Sequence, residues 1–137
     1  MPNNKKQWVY TPPRAKKPQV STAAKEQITA QCQQLIDSEF KPRYIDLEPQ
    51  ENQLVTTDIY GKWYRSFYYF CSTFYFNAPE LPNAPIENKF TRLEYTGEDK
   101  FNLAYMRHTG QWWEVHTGIS LKNALEEIKN NPIFHPS

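Results

Sequence analysis

Glycine is scarce in this chain, with four residues in 137. That leaves little material for backbone cradles around phosphate, and neither a glycine-rich phosphate loop nor a Gly-x-Ser-x-Gly nucleophile elbow occurs. Cysteine is scarcer still. Cys32 falls in a predicted helix and Cys71 in a predicted strand, so the two form no disulfide framework, and without a Cys-x-x-Cys pair no zinc site is indicated. No stretch approaches the roughly 18 apolar residues of a membrane span. The N-terminal lysines are not followed by an apolar run, so no signal peptide is read there, and the expected compartment is the cytoplasm.

What is abundant is aromatic. Rings make up 15% of the chain although mean hydropathy is only -0.81, so apolar character is concentrated in a few large side chains. Nine are tyrosines, which suit half-buried, half-wet positions. The length suits one domain with a core of its own. Charge is unevenly spread. Residues 1–20 carry Lys5, Lys6, Arg14, Lys16 and Lys17 with no acid, whereas residues 21–137 hold 11 basic against 15 acidic residues, a net of −4. The mildly acidic body argues against a nucleic-acid surface over the whole fold and confines any phosphate attraction to the arm or to a local patch.

Residues 1–20 read as a basic, proline-rich, partly disordered tail interrupted by Trp8-Val9-Tyr10, which either docks on the domain as an added edge strand or lid or serves as a free recognition segment, and residues 21–137 as a single α+β domain. Ser21 or Thr22 caps a helix whose apolar stripe is Ile28, Cys32, Leu35, Ile36 and Phe40, and Pro42 predicts its end near Phe40. Residues 54–76 exceed the length of one strand and require a hairpin, with a turn at 61–62 or, preferably, at 64–66. Residues 77–88, with three prolines, form a long loop suited to a lid or a crossover. Ser120 caps a final helix with the stripe Leu121, Ala124, Leu125 and Ile128, ended by Pro132 and anchored by Phe134. The expected fold is an N-terminal helix, an antiparallel meander of about five strands, and a C-terminal helix packed on one sheet face.

The segment Lys89–Thr117 reads as three strands joined by turns at 97–100 and 109–110. That register pairs Arg92 with Tyr105 and Glu114, Phe90 with Arg107 and Trp112, and Glu94 with Leu103 and His116 on one face. It sends Leu93, Ala104, Val115, Thr91, Met106 and Trp113 to a core face. The candidate ligand site is therefore Arg92, Tyr105, Arg107, Trp112, Glu114 and His116, an aromatic and charged face suited to an anionic or polar ligand and closable by the 77–88 loop. His108 and His116 fall on opposite faces and cannot share a metal, and His135 reads as a surface residue of the tail. The rings of Phe67-Tyr68-Tyr69-Phe70 read as the centre of a sheet covered on both sides, with a base-stacking platform as the sharper alternative.

The run FTRLEYTGEDKFNLAYMRHTGQWWEV followed by SLKNALEEIKNNPIFHP resembles a small bacterial α+β family designated a domain of unknown function. It shares an Arg-x-Glu-Tyr strand (Arg92–Tyr95), a Met-Arg-His strand end (Met106–His108), a Gly-x-Trp strand (Gly110–Trp112) and a leucine-rich last helix. The resemblance covers about residues 21–137, is sharpest over 89–136, and implies a compact domain with no activity, cofactor or catalytic residue. Together these readings give a small binding or interaction module, with no cofactor or metal and with an anionic small molecule or a protein as partner. One alternative is a nucleic-acid-associated protein acting through its basic arm; another is a small hydrolase using His116 with Glu114, which has neither a positioned nucleophile nor an oxyanion motif.

Overall fold

A computed structural model describes residues 19–136. Helix α1 (Thr22–Leu35) is capped by the Ser21 hydroxyl, which accepts from the Ala24 amide at 3.1 Å. The helix does not end before Pro42 as expected. It passes through a π-helical turn (Ile36–Phe40) into one more α-helical turn, α2 (Lys41–Tyr44), and the Lys41 amide bonds back to the Ile36 carbonyl. Widening the turn shifts the hydrogen-bond pattern by one residue, which accommodates a proline that lacks an N–H. The Ser38 hydroxyl donates to the Gln34 carbonyl across this irregularity.

Five antiparallel strands follow in sequence order, β1 (Leu54–Tyr64), β2 (Phe67–Phe76), β3 (Ile86–Gly97), β4 (Lys100–Met106) and β5 (Trp112–Ser120). The first hairpin turns at Arg65-Ser66, the later of the two positions considered. Residues 45–53 form a connector rather than a strand, and Asp46 and Thr56 exchange bonds at 2.9 and 3.0 Å on the outer edge of β1. Helix α3 (Leu121–Asn130) is capped by Ser120 and runs into a 3-10 turn (Pro132–Phe134). Both long helices cover the same sheet face, burying the complete α1 stripe together with Ala124, Ile128 and Phe134. This is the α+β meander expected, with one face left uncovered by helix among the described residues.

The two turns after β3 differ from the expected ones, and the difference decides which side chains share a face. The β3–β4 turn is the two-residue loop Glu98-Asp99, both at positive φ, with Gly97 at φ 101 pairing with Lys100 and Thr96 left out of the ladder. Beyond that bulge Leu93 opposes Leu103 and Arg92 opposes Ala104, one residue off the expected register, so every β4 side chain changes face. The β4–β5 loop has three residues, His108–Gly110, with Gly110 in the left-handed region. A second irregularity at Val115 then turns His116 to the helix side, and a third at Thr117-Gly118 sets Ile119 opposite Phe101. Consequently Leu103 lies in the core; Phe90 joins it through a separate irregularity between β2 and β3, where Thr91 opposes Phe70 but Lys89 opposes Cys71. Ala104 and Met106 face away from the helices, Val115 is left exposed, and Trp113 points to the helix side yet stays 54% exposed at the sheet edge.

The C-terminus is locked down. His135, read from sequence as a surface residue, is buried: its Nε2 lies 3.0 Å from the Lys129 carbonyl, which can only accept, so Nε2 carries a proton. Nδ1 then accepts from the Tyr44 hydroxyl at 2.7 Å. Thr91 donates to the Phe134 carbonyl at 2.8 Å from the sheet below. The Phe40 ring packs on Phe70, Phe90, Tyr44 and His135, joining the end of the first helical segment and the C-terminal residues to the sheet.

Gly61 has a packing role. A Cβ there would overlap the phenol of fully buried Tyr68, whose hydroxyl has no hydrogen-bond partner. Gly61→Ala should therefore destabilise by about 1–3 kcal/mol through overpacking. Tyr68→Phe should be neutral or slightly stabilising, because it removes an unsatisfied buried hydroxyl. Urea midpoints of the two variants check both signs.

Candidate functional site

The sheet face away from the helices carries alternate residues of every strand. From β1 come Tyr60 and Lys62, and from β2 Phe67, Tyr69 and Cys71. Strand β3 adds Glu87, Lys89, Arg92 and Glu94, β4 adds Asn102, Ala104 and Met106, and β5 adds Trp112 and Glu114. At its centre the Arg92 guanidinium sits between two rings, 5.0 Å from the centroid of Phe67 and 5.0 Å from that of Trp112. Tyr69 stacks on Phe67 (centroids 6.0 Å, planes 28° apart) and leans on Trp112 (5.7 Å), with Lys89 Nζ 5.2 Å above it. Small Ala104, directly between Arg92 and Glu114 in the ladder, leaves room for the guanidinium to lie flat. Arg92 Nε is sealed from water without a hydrogen-bond partner, and among the described residues no carboxylate lies within 4.0 Å of the guanidinium.

Beside this slot lies a second polar group. Lys62 Nζ is 2.6 Å from Glu87 Oε1, and the Tyr60 hydroxyl donates to the other oxygen of the same carboxylate. The Lys62 ammonium, then the Tyr60 hydroxyl, hold Glu87 below the usual carboxylate value. Burial, then the hydrogen bond to Glu87, raise Tyr60, and Lys62's own hydrogen bond to Glu87 raises Lys62. Cys71, opposite Tyr60 and Lys89 in the ladder, is free and buried; burial first, and Glu87 second, push its thiol up to about 11. Such a thiol stays protonated near neutral pH and is a poor nucleophile.

The six residues expected to share a site are divided among three places. Arg92, Trp112 and Glu114 do share the open face. Tyr105 and Arg107 do not. Tyr105 points to the helix side and packs edge-on against Phe134, and the Arg107 guanidinium lies 4.9 Å from the Trp113 ring centroid, not on Trp112. Both line a groove of about 670 Å³ with Asn88, His108 and Ile133 at the end of the sheet. His116 also lies on the helix side, its Nε2 3.3 Å from Glu127 Oε2, so Glu127 and not Glu114 is its carboxylate neighbour. The His116–Glu114 hydrolytic pair is therefore not assembled. Glu127 is held below its usual range by Asn131 first and His116 second. The 77–88 loop does not close the slot: it leaves β2 at Phe76, seven residues beyond Tyr69, or roughly 23 Å along the strand. The arm residues Lys5, Lys6, Arg14, Lys16 and Lys17, and Trp8-Val9-Tyr10, lie outside the described residues.

Phe67, Tyr69, Lys62 and Lys89 belong to the site and were not among its expected members. In β2 rings point both ways: Tyr68 and Phe70 are buried under helix while Phe67 and Tyr69 remain half-buried on the open face. Alternation was present, but a run of rings offers no polar contrast to say which phase is covered. The double-sided core read for this strand holds on one side only.

A family model for a domain of unknown function, DUF3024, matches residues 4–136. The chain belongs to this family. DUF3024 membership thus reaches further toward the N-terminus than the resemblance read from residues 21–137, and takes in Trp8-Val9-Tyr10 and all five arm cations. The chain matches no curated protein and no solved structure. No helix among the described residues is long and apolar enough to cross a membrane.

The Glu87 group predicts a pH effect. A carboxyl depressed in the folded state adds stability that is fully present above its unfolded value of about 4.3 and is lost as pH falls through the folded value. Glu87→Gln should lower stability at pH 7 and flatten part of the decline between about pH 5 and 3, leaving the part due to Glu127. Urea midpoints measured across that range for both proteins check it, and parallel curves would contradict it.

Proposed function

We propose that this DUF3024 domain is a small binding module that receives an anionic group, a carboxylate or phosphate, at Arg92 on its open sheet face. The observation that carries this reading is the Arg92 guanidinium held between Phe67 and Trp112, with no carboxylate within 4.0 Å among the described residues. Ring stacking on both sides immobilises a side chain that otherwise loses much rotamer freedom on binding, and it presents the guanidinium edge as a preset fork for a planar or tetrahedral anion. Lys89 supplies a second positive charge over the adjoining ring, and Glu94 and Glu114 on the same face select against ligands with extended negative charge. A binding role suits the site better than catalysis, because among the described residues the face holds no general base paired to a nucleophile, and the Cys71 thiol on it is buried and protonated. A cytoplasmic setting rests on the two free buried thiols, Cys32 and Cys71, and a bacterial source on the family resemblance.

Trp112 emission should change on titration with one of a panel of small anions (phosphate, sulfate, acetate, citrate and nucleoside monophosphates). Arg92→Ala should weaken that binding by tenfold or more, the scale of one charge-assisted bidentate contact. Arg92→Lys should recover only part of it, because an ammonium keeps the charge but not the fork. Unchanged affinity in Arg92→Ala, with the fold intact by circular dichroism, would overturn the assignment.

A further inference from the structure

The groove at the end of the sheet shares no lining residue with the Arg92 slot and has a chemistry of its own. Its volume of about 670 Å³ falls in the range of small-molecule pockets. Phe90 from β3, Tyr105 from β4, and Pro132 and Ile133 from the C-terminal turn give it apolar walls, and Ile133 stays 45% exposed there. Arg107, His108 and Asn88 are polar groups at the same groove, and its lining residues include no carboxylate. The Arg107 guanidinium lies 4.9 Å from the Trp113 ring centroid, which sets the plane of its donor fork, and among the described residues no carboxylate comes within 4.0 Å of it. The nearby backbone donors are occupied. The Arg107 N–H donates to the Gln111 carbonyl at 2.9 Å and the Gly110 N–H to the Arg107 carbonyl at 2.8 Å. In the C-terminal turn the Ile133 N–H donates to the Asn131 side chain at 3.2 Å and the His135 N–H to the Pro132 carbonyl at 3.1 Å. Recognition at the groove therefore falls to side chains. That serves poorly a phosphate, which favours converging backbone N–H groups, whereas a single carboxylate needs only the fork.

We propose that this groove binds a monocarboxylate with a flat or branched apolar body, its carboxylate on the Arg107 guanidinium and its body against Phe90, Tyr105 and Ile133. One cationic fork matches one carboxylate, and apolar walls select against ligands with charge spread along their length. Asn88 and His108 supply further N–H donors at the same groove. Occupancy removes the Ile133 side chain from water, which favours an apolar body over a bare anion. The site is independent of the reading at Arg92, so the two fail separately.

Fluorine NMR of the full-length protein labelled with 5-fluorotryptophan tests this, with the four tryptophan resonances assigned by single Trp→Phe variants. The probes are phenylacetate, benzoate and isovalerate, with phenylacetamide and inorganic phosphate as controls. At least one of the three acids should shift the Trp113 resonance saturably below about 10 mM and leave Trp63, hydrogen-bonded to Thr29, unmoved. Phenylacetamide and phosphate should bind at least tenfold more weakly than that acid. Arg107→Ala should weaken its binding tenfold or more, and Arg107→Lys should regain only part. Ile133→Asp, at an exposed position, should weaken it as much by setting a like charge on the wall. Arg92→Ala should change none of this. No saturable shift with any of the three acids would reject the site. So would unchanged affinity in Arg107→Ala and Ile133→Asp with the fold intact by circular dichroism, or a shift of Trp112 alone that Arg92→Ala abolishes, which moves the ligand to the open face. Phosphate binding as tight as the acids would reject the carboxylate class.

Discussion

Thr96 stands outside the ladder between β3 and β4, and the composition of both sheet faces depends on it. A strand alternates with period two, so one extra residue beside a turn exchanges its two sides. With Gly97 in the left-handed region and Glu98-Asp99 closing a two-residue loop, Leu93 meets Leu103 and Phe101 meets Tyr95, and these rows pack under α1 and α3. The same slip places Ala104, rather than a ring, beside Arg92. A tyrosine there would crowd the guanidinium; an alanine lets it lie between Phe67 and Trp112. The irregularity at Val115 acts in the same way one strand later, keeping Trp112 and Glu114 on the open face while turning His116 to Glu127.

The helix side shows how a chain of low mean hydropathy holds such a sheet. Its core is built from rings around Phe40, and the C-terminal residues are tied to that cluster by polar links that must be satisfied once buried. The Tyr44–His135–Lys129 relay and the Thr91–Phe134 bond do this, and the π-helical turn at Ile36–Phe40 brings Phe40 and Tyr44 to the same cluster. Gly61 yields space to Tyr68 in the same layer. With one face so densely packed, the candidate site lies on the other, which no helix among the described residues covers.

Much of this was legible from residue order. The α1 stripe, the caps at Ser21 and Ser120, the hairpin at 65–66 and the five-strand meander all follow from spacing and turn chemistry, and all are observed. The site was half legible. Arg92, Trp112 and Glu114 were grouped correctly, whereas Tyr105, Arg107 and His116 were assigned to the wrong neighbours because a bulge leaves no mark in a hydrophobic pattern. The expected loop at 97–100 is centred on Glu98-Asp99 as observed; what went unread is Thr96, left out of the ladder so that Tyr95 rather than Thr96 opposes Phe101. Pro42 misled for a related reason: proline forbids one hydrogen bond, and a helix that widens by one residue no longer needs it. His135 was missed because its partners come from α2 and α3, far apart in sequence.

The register of β3 and β4 is open to direct measurement through cross-strand nuclear Overhauser contacts between backbone protons. The account predicts contacts that place Leu93 opposite Leu103 and Thr91 opposite Tyr105, with Met106 opposite Trp112 on the next pair. Contacts placing Arg92 opposite Tyr105 and Glu94 opposite Leu103 would contradict it, because Tyr105 would then occupy the slot and the guanidinium could not lie between the two rings.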